Sequence, residues 1–326
     1  MLLTVIPCLN EAAHLKPLVE YLIAESRAVP MRIVIADGGS TDGSFAIAQQ
    51  LAEEYEAVRV LSNPKRIQSA AMNLAVASMG EGAEYLLRID AHARYPRGFV
   101  AALMADAVAT QADAVVVAMA TIGTRGFQRA VAAAQNSKLG NGGAAHRLNA
   151  GAGEGQWVDH GHHALMRMAA FRAVGGYDET FTHNEDAELD ARLRAAGYRI
   201  WLTSRTQMEY FPRSAPWPLF RQYRGYGRGR LRNLLKHRAR PKLRQLLPVA
   251  VAPAWALALL SPLSGVLALP LLLWSALCLG YGTLLALRAK DRTVLLSGPA
   301  AMLMHSGWSL GFWQGVVEHY QRRSAA

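Results

Sequence analysis

Hydrophobic and polar positions follow two periods along the first 120 residues of this chain. Short runs of β-branched residues and leucine, typical of buried strands, are followed by stretches with apolar residues three and four positions apart, typical of amphipathic helices. The predicted strands are Leu2–Ile6, Ile33–Ala36, Val58–Leu61, Tyr85–Ile89, Ala114–Ala118 and, later, Tyr198–Leu202. Helices are predicted between them and at Glu185–Ala196. This order predicts an α/β fold with a mostly parallel sheet and helices on both faces.

The C-terminal part has a different pattern. Leu246–Leu287 is a run of 42 residues without a charge, whereas one bilayer crossing needs only about 20. A break at Ser261–Gly265 predicts two spans in a hairpin, the first short and interrupted by prolines. The alternative is a buried helical hairpin of a soluble protein. A third uncharged run, Val294–Val317, can span the bilayer or lie in its interface, and the sequence leaves this open.

Charge is distributed unevenly. The chain has 35 Lys and Arg against 24 Asp and Glu, a net charge of +11, and ten of these basic residues lie in Arg221–Arg244, directly before the apolar run. Basic residues concentrate on the cytoplasmic side of membrane proteins and are attracted to anionic lipid. We therefore expect a cytoplasmic N-terminal part on the inner membrane, and membrane lipid rather than nucleic acid as the partner of the basic block.

These patterns divide the chain into three predicted parts. Residues 1–212 form the α/β domain, residues 213–245 a basic juxtamembrane segment, and residues 246–326 a membrane region with two or three helices. Within the first part, Gly140–Gly155 is rich in glycine and alanine, which predicts a mobile loop.

An acidic, glycine-rich turn follows the second predicted strand. It reads Asp37-Gly38-Gly39-Ser40-Thr41-Asp42 and opens a helix. Ligands of open α/β sheets bind at such carboxyl ends of strands. Carboxylates accept hydrogen bonds from a base or a ribose and repel a phosphate, so this turn is interpreted as the nucleoside end of a nucleotide site. An ordinary turn is the alternative.

Two further acidic groups are candidates for chemistry. Asp90 and His92 follow the strand Tyr85–Ile89, and in an extended chain their side chains point to one side, where they can hold Mn²⁺ or Mg²⁺. A solvated turn-capping acid is the alternative. Glu185 and Asp186 open a helix, where acids suit the positive end of the dipole. One of this pair can instead face a cleft as a general base.

The remaining candidates are a histidine cluster and an arginine cluster. Asp159 and His162 belong to a segment with three histidines at 160, 162 and 163, for which substrate contact or packing is favoured over zinc because no fourth ligand is suitably spaced. Arg221 and Arg224 begin a segment with three glycines at 225, 227 and 229 that keep its backbone adaptable. Their guanidinium groups suit a diphosphate or an acceptor, or else face lipid.

Taken together, these motifs resemble a family 2 glycosyltransferase, and more narrowly the membrane-associated glucosyltransferases of succinoglycan-type exopolysaccharide synthesis. Pro7–Glu11 resembles the opening strand-end motif, Asp37–Asp42 the nucleoside loop, and Asp90–His92 the Asp-x-Asp metal motif with histidine in third place. Gly175–Glu179 resembles the segment before the acceptor helix, and Arg221–Gly229 replaces a Gln-x-x-Arg-Trp element. The missing tryptophan favours transfer of a single sugar.

The resemblance implies a GT-A type fold and a role for each matching residue. Asp186 would be the catalytic base, and Asp90 and His92 the metal ligands. The implied nucleotide-binding residues are Pro7, Asn10, Glu11, Asp37, Gly38, Ser40, Asp42, Gln68 and Asn73. The implied contacts to acceptor or diphosphate are Asp159, His162, Glu185, Arg221 and Arg224.

The implied reaction is inverting transfer of a hexose. The expected donor is a nucleotide sugar, UDP-glucose, with a divalent cation (Mn²⁺ or Mg²⁺), and the expected acceptor is a lipid-linked oligosaccharide. Two alternatives remain open at this point. One is a polyprenyl-phosphate glycosyltransferase, whose lipid phosphate acceptor needs no deprotonation by Asp186. The other is a membrane scaffold that binds nucleotide sugars without turning them over.

Overall fold

The computed structural model describes residues 1–143, 154–241 and 243–324. The strands are β1 (Leu2–Cys8), β2 (Met31–Asp37), β3 (Val58–Ser62), β4 (Tyr85–Arg88), β5 (Ala93–Arg94), β6 (Ala114–Thr121), β7 (Gln156–Val158), β8 (His162–Arg167) and β9 (Ile200–Tyr210). In the described part of the chain they form one sheet in the order β3-β2-β1-β4-β8-β6-β9-β5, and β7 pairs with β9 outside this path.

The sheet is mixed. Strands β3, β2, β1 and β4 run parallel, whereas β8 is antiparallel to β4 and β6, and β9 is antiparallel to β5 and β7. The predicted α/β fold is confirmed, and each of the six predicted strands is present. Strands β5, β7 and β8 were not predicted, and β9 continues to Tyr210, eight residues beyond the predicted end.

The parallel register brings several loops to one edge of the sheet. Leu2 pairs with Met31 at one end of β1 and β2, and Cys8 pairs with Asp37 at the other. Since parallel strands end at the same edge, the segments that follow β1, β2 and β4 lie side by side. The amide of Ile89 continues this alignment by donating to the Val5 carbonyl at 3.0 Å.

Helices cover the sheet and form the C-terminal part. They are α1 (Ala12–Glu25), α2 (Ser44–Glu54), α3 (Gln68–Met79), α4 (Phe99–Thr110), α5 (Gly126–Gln135), α6 (Lys138–Asn141), α7 (Met168–Ala173), α8 (Glu185–Ala195), α9 (Pro216–Lys236), α10 (Leu243–Val249), α11 (Val251–Leu259), α12 (Leu269–Ala289) and α13 (Ser297–Ser324). Helix α1 shows why they pack: Leu15, Leu18 and Leu22 recur at helical spacing and are buried. Each such leucine contributes about 1.5–3 kcal/mol relative to exposure.

The described residues form two compact units. Residues 1–119 and 154–210 make up the first, and residues 120–143 and 211–324 make up the second. The second unit therefore includes a segment from the middle of the chain as well as the C-terminal helices. The domain limits at 212 and 245 stay predictions. Of the predicted mobile loop Gly140–Gly155, residues 144–153 lie outside the described residues.

Within the second unit, α9 and α13 pack at very short range through glycines. A Cβ atom added to Gly227 would lie 1.9 Å from the Trp308 carbonyl oxygen, and one added to Gly311 would lie 1.9 Å from the Arg224 carbonyl oxygen. The helix backbones are thus in contact. The glycine-rich stretch from 225 to 229 is helical, so the interpretation that its glycines keep the backbone adaptable is wrong: Gly227 is needed for helix packing.

The apolar region forms helices of unequal length. The two-span hairpin is not supported, because α10 and α11 have only 7 and 9 residues. In the described part of the chain, one helical segment, Gly265–Ala289, is long and apolar enough to cross a bilayer, with 25 residues and a mean hydropathy of 1.7. The run Val294–Val317 falls mostly within α13, whose Gly298, Ala301 and Met304 are buried.

The break between α10 and α11 is compensated by side chains of α13. Residue 253 is proline, so the Val249 carbonyl lacks the amide that would bond to it in a continuous helix. The Ser309 hydroxyl and the Trp313 indole N–H donate to this carbonyl instead, each at 2.9 Å. The Ala252 amide in turn donates to the Ser309 oxygen at 2.9 Å. The freed backbone groups therefore have partners in an apolar region.

Candidate active site at the carboxyl edge of the sheet

Asp37 ends β2 and is 3% exposed. Its Oδ2 accepts hydrogen bonds from the amides of Gly39 (2.8 Å) and Ser40 (3.0 Å), which fixes the turn. Its Oδ1 is buried and has no hydrogen-bond partner among the described residues. Buried acceptors are rarely left unpaired. The Oδ1 of Asp37 can therefore accept from a ligand N–H or O–H, and its role at the nucleoside end of the site stays a prediction.

The loop after β1 is bonded to the loop after β2. The Asn10 amide donates to the Ser40 hydroxyl at 2.9 Å, and the Asn10 side-chain oxygen accepts from the Thr41 amide at 2.8 Å. Asn10 has φ +58°, an uncommon conformation for a residue other than glycine. The predicted nucleotide-binding residues Asn10 and Ser40 thus lie together, and their side chains hold the two loops in place.

Asp42 continues this connection at the start of two helices. Its Oδ2 accepts from the Ala12 amide at 3.0 Å, and its Oδ1 accepts from the Ser44 amide at 3.0 Å. The Ser44 hydroxyl also donates to Oδ1, at 2.5 Å, and this bond together with those of the amides lowers the pKa of Asp42. Pro7 lies in β1 opposite Ala36, and the Gly38 amide donates to the Cys8 carbonyl at 2.8 Å. Hydrogen bonds thus hold the segments Pro7–Glu11 and Asp37–Asp42 together.

Arg66 lies over this turn and was not predicted. A Cβ atom added to Gly39 would lie 3.4 Å from Arg66 Nη2, and one added to Gly38 would lie 3.3 Å from the Arg66 Cα. Arg66 also has φ +60°, a conformation that costs about 1 kcal/mol or more in a non-glycine residue. Gln68, predicted to bind nucleotide, follows it as the first residue of α3 and is partly buried.

Asn73 is engaged with the segment before α8. Its side-chain nitrogen donates to the Tyr177 carbonyl (2.8 Å) and to Glu179 (3.0 Å), and its oxygen accepts from the Tyr177 amide (2.8 Å). Lys65 also bonds to Glu179. The direct contacts of Asn73 therefore hold Gly175–Glu179 in place; its predicted contact with nucleotide is untested.

Asp90 and His92 have different partners. Asp90 Oδ2 lies 3.3 Å from His162 Nε2, and Oδ1 lies 3.4 Å from Arg88 Nε. His92, by contrast, is half exposed and its Nδ1 lies 2.8 Å from Glu11 Oε1. Residues 91 and 92 form a turn, so the expectation that an extended chain aims both side chains to one side is wrong.

One oxygen of Asp90 can accept a divalent ion, provided that a diphosphate supplies further ligands. Burial alone would raise the pKa of Asp90, but the Arg88 and His162 charges hold it below its usual range, so the group is an anion. Its Oδ1 is buried and accepts no hydrogen bond from the described residues. The Nδ1 of His92 is engaged with the Glu11 carboxylate. No group of three or more acidic, histidine or cysteine side chains suited to a metal occurs in the described residues, so phosphate oxygens would have to complete the coordination.

Arg88 connects the acidic groups of the site and was missed in the sequence. It ends β4 and is 3% exposed. Its Nη1 donates to Asp186 Oδ1 at 2.6 Å, and its Nη2 lies 3.2 Å from the His162 ring nitrogens. With Asp90 beside Nε, one guanidinium contacts both acidic motifs. The available signal was a single charged residue inside the apolar run Tyr85–Ile89.

Asp186, the predicted base, lies at the start of α8 and faces this cluster. Its Oδ1 accepts from Arg88 and, at 3.0 Å, from the Tyr177 hydroxyl, and its Oδ2 lies 3.9 Å from His162 Nδ1. Burial would raise the pKa of Asp186, but the charges of Arg88, His163 and His162 outweigh it and lower the pKa. Asp186 is therefore ionised at neutral pH.

Glu185 has the opposite electrostatics. Burial and the negative charge of Asp186 raise the pKa of Glu185 to about 7. Two adjacent carboxyl groups at the start of one helix thus differ in protonation near neutral pH. Such a separation of pKa values is typical of catalytic sites.

The histidine cluster has a buried carboxylate at its centre. Asp190 lies one turn after Asp186, and its two oxygens lie 2.6 Å from His160 Nδ1 and from His163 Nε2. Burial would raise the pKa of Asp190, but the two histidines hold it below the usual range. These contacts anchor α8 to β8 and so orient Asp186 and His162, which belong to the same two elements.

Three predicted contact residues have other partners. Asp159 is exposed and forms an ion pair with Arg194 at 3.7 Å. Arg221 and Arg224 belong to α9 in the second unit. The guanidinium of Arg221 lies 6.0 Å from the Trp217 ring, and Arg224 Nε donates to Gln314 at 2.8 Å. Their roles toward a diphosphate or an acceptor stay predictions.

Comparison with known protein families identifies the chain independently of this geometry. The model of Glycosyl transferase family 2 matches residues 4–175, and that of Glycosyl transferase family group 2 matches residues 101–287. The succinoglycan biosynthesis protein ExoA of Rhizobium meliloti (strain 1021) is 56% identical over 323 residues, which are 99% of this chain and 97% of that protein.

Solved structures show the same fold at low identity. The mannosyltransferase PcManGT of Pyrobaculum calidifontis, in complex with GDP-Man and Mn²⁺, superposes with a TM-score of 0.58 at 18% identity, over 94% of this chain and 86% of that chain. S. aureus TarS 1–349 superposes with a TM-score of 0.50 at 11% identity, over 98% of this chain and 91% of that chain. GalNAc-T7 with UDP, GalNAc and Mn²⁺ superposes with a TM-score of 0.52 at 14% identity, over 72% of this chain and 47% of that chain. The GT-A-like α/β fold is thereby established.

Proposed function

Because this chain belongs to glycosyltransferase family 2, we propose that it is an inverting hexosyltransferase of exopolysaccharide synthesis. Its donor would be a nucleotide sugar, UDP-glucose, and its acceptor a lipid-linked oligosaccharide. The observation that carries the proposal is the Arg88 guanidinium, which joins the donor-side acid Asp90 to the acceptor-side acid Asp186 within one unit of the structure.

The related proteins support this assignment from two directions. The relative that covers nearly the full chain is named for succinoglycan biosynthesis, which supports an exopolysaccharide product. Two proteins with the same fold are bound to a nucleotide or nucleotide sugar together with Mn²⁺, which supports a nucleotide-sugar donor and a divalent cation here.

The donor would bind along the carboxyl edge of the sheet. The unpaired Oδ1 of Asp37 would accept a hydrogen bond from the base or ribose, and the turn beneath Arg66 would support them. Asp90 and His92 would hold a divalent ion on the diphosphate. When bound, that ion would neutralise the charge that develops on the leaving nucleoside diphosphate.

Asp186 would accept the proton of the acceptor hydroxyl. It is ionised at neutral pH, and Arg88 and Tyr177 hold its Oδ1. The hydroxyl oxygen would attack the anomeric carbon from the face opposite the diphosphate. The new C–O bond forms as the bond to phosphate breaks, the electron pair leaves with UDP, and the proton passes to the carboxylate. An α-linked donor thus yields a β-linked product.

The second unit would bring the site to its lipid-linked acceptor. Only 11% of the most apolar stretch of Gly265–Ala289 is buried, and exposed leucines line this segment. The basic residues of 221–244 precede it and would contact anionic headgroups. We propose attachment to the cytoplasmic membrane with the catalytic unit in the cytoplasm.

To test this, the purified full chain is incubated with labelled UDP-glucose and with lipid extracted from the membranes of cells that make exopolysaccharide. The lipids are then analysed by mass spectrometry. Extension of a lipid-linked oligosaccharide by one hexose is expected. A hexose on a lipid monophosphate would replace this function by the polyprenyl-phosphate alternative, and bound donor without any product would indicate a scaffold.

Two controls accompany this assay. Chelation should abolish transfer, and Mn²⁺ or Mg²⁺ should restore it. Asp186→Asn should bind UDP and transfer no hexose, whereas Asp113→Asn, the same change at a partly buried acid that pairs with Arg167, should remain active. Retained turnover in Asp186→Asn would remove Asp186 from its role.

A further inference from the structure

Arg88 is a buried cation whose every nitrogen faces a group of the candidate active site. Its Nη1 lies 2.6 Å from Asp186 Oδ1 and 3.3 Å from the Tyr177 hydroxyl. Its Nη2 contacts the His162 ring, and its Nε lies 3.4 Å from Asp90 Oδ1. One buried guanidinium thus contacts groups from two separate acidic motifs.

The fork geometry explains why this residue is arginine. A guanidinium is planar and presents its N–H groups at fixed angles, so each carboxylate that it contacts takes a defined place. Asp90 follows β4 directly, whereas Asp186 begins α8, 96 positions later in the sequence. One rigid group thus lies between two acids that separate parts of the chain carry.

We propose that Arg88 is a positioning residue that couples the donor side of the site to its acceptor side by holding Asp90 and Asp186 in one arrangement. The two sides are named as in the proposed function, and the inference rests on it to that extent. Arg88 itself would touch neither substrate. It acts through the carboxylates, so that the base is in place wherever the donor is bound.

The surroundings of Asp186 show that Arg88 also dominates its charge. Asp186 faces Arg88 from β4, Tyr177 from the segment before α8, His162 and His163 from β8, and Glu185 on its own helix. Among these charges, Arg88 is the strongest that favours the ionised carboxylate, with the two histidines next. Loss of the cation should therefore allow Asp186 to take up a proton at higher pH.

Two variants separate charge from geometry. Arg88→Lys keeps a cation but loses the fork, and Arg88→Ala loses both. Protonated carboxyl groups react with a carbodiimide, so the pH at which labelling of Asp186 is half lost can be read by tandem mass spectrometry of the full chain without any turnover. Binding of UMP without a divalent ion serves as the check that each variant is folded. In the proposed function the nucleoside binds at the Asp37 turn, which Arg88 does not contact. Arg88→Met, which keeps the aliphatic stem, replaces Arg88→Ala if the latter does not fold.

The expected results differ between the variants. In Arg88→Ala the pH at which labelling of Asp186 is half lost should rise by about one unit or more. The corresponding pH for Asp190, which His160 and His163 contact, should not change. In Arg88→Lys the midpoint should stay near that of the unmodified chain, yet hexose transfer should fall about 100-fold. Millimolar guanidinium should restore part of the activity of Arg88→Ala, and ammonium should not.

The opposite results would overturn the inference. Full transfer by Arg88→Lys would show that geometry is not set by the fork, and an unchanged Asp186 midpoint in Arg88→Ala would show that Arg88 does not govern that carboxylate. Both outcomes leave the proposed function standing. A failure of the unmodified chain to transfer hexose, by contrast, would overturn the proposed function while the labelling result still decides whether Arg88 governs Asp186.

Discussion

The Tyr177 hydroxyl donates a hydrogen bond to Asp186 Oδ1 at 3.0 Å, next to the Arg88 nitrogen that donates to the same oxygen at 2.6 Å. Two donors on one oxygen leave Oδ2 as the oxygen with which Asp186 can approach an acceptor. They also stabilise the ionised form, because hydrogen bonds to a carboxylate favour its charge.

Tyr177→Phe should therefore weaken the base without removing it. We expect kcat to fall about tenfold, in line with about 1–1.5 kcal/mol for the lost hydrogen bond. The acidic limb of the pH–rate profile should move to higher pH, because the pKa of Asp186 rises. The phenyl ring keeps its packing against Phe171, whose ring centre lies 5.7 Å away. An unchanged pH profile would mean that the hydroxyl does not act on Asp186.

Glu185→Gln should increase stability in alkaline solution. The pKa of Glu185 is raised from its ordinary 4.5 to about 7 by burial and by Asp186. A raised pKa means that this contribution to folding is fully present below pH 4.5 and is lost as the pH rises through 7. The variant carries no such charge, so its Tm should exceed that of the unmodified chain by more at pH 8 than at pH 5.

The size of that gain should be about 1–2 kcal/mol, because the half-buried carboxyl is partly screened by water. Thermal unfolding at both pH values measures it. Glu20→Gln, an equivalent change at an exposed glutamate near Lys16, should show no gain at either pH. An equal gain at pH 5 and pH 8 would contradict the raised pKa.

Asp37→Asn should weaken nucleotide binding more than it weakens the fold. An amide group would place either a donor where ligand donors approach or an unpaired NH₂ against the amides of Gly39 and Ser40. We expect the affinity for UMP to fall by about tenfold to a hundredfold, as when a hydrogen bond to a charged group is lost. Calorimetric titration measures this, with Asp113→Asn as the matched change. Equal affinity in both variants would exclude Asp37 from the nucleoside site.

Gly227→Ala should separate α9 from α13. The added methyl group would lie 1.9 Å from the Trp308 carbonyl oxygen, and only a backbone shift can relieve that contact. We expect a loss of about 1–3 kcal/mol in unfolding free energy, seen as a lower Tm in detergent. Gly280→Ala is the matched change in α12: a Cβ there meets no atom within 4 Å, so alanine should be neutral or slightly stabilising. Similar Tm values for the two variants would contradict the close helix packing.

Strands β1 and β2 were predictable because their local pattern and their environment agree. Leu2–Ile6 and Ile33–Ala36 are short apolar runs with turn residues after them, and the parallel sheet buries both faces of such strands. The acidic turn at Asp37 was identified for the same reason: it begins where a buried run ends. Local sequence therefore located the turn that ends β2, and its role at the nucleoside end of the site stays a prediction.

Strand β8 was not predictable, because its burial depends on a distant partner. His163 is fully buried, and its Nε2 lies 2.6 Å from an oxygen of Asp190, which belongs to another element. Two adjacent histidines at 162 and 163 do not predict a strand, and nothing in the neighbouring sequence indicates that a carboxylate will pair with one of them. Arg88 was missed for a similar reason, since its importance comes from contacts far along the chain.

Helix α9 shows tertiary structure overriding propensity. Glycines at 225, 227 and 229 each disfavour a helix by up to about 1 kcal/mol relative to alanine, and the sequence therefore indicated an adaptable segment. The structure has a helix of 21 residues. Contact with α13, which only a residue without a side chain permits at Gly227, accounts for this difference.

The hydrogen bonds that Ser309 and Trp313 give to the Val249 carbonyl link the two ends of the apolar region. A chain cut before position 309 would retain every leucine of Leu246–Leu287 and yet leave that carbonyl without a donor among hydrocarbon side chains. Such a fragment would keep its hydrophobicity, but its first helices would lack a defined bend. The helix α13 therefore stabilises the bend between α10 and α11, and C-terminal truncation should disorder a region more than fifty residues upstream.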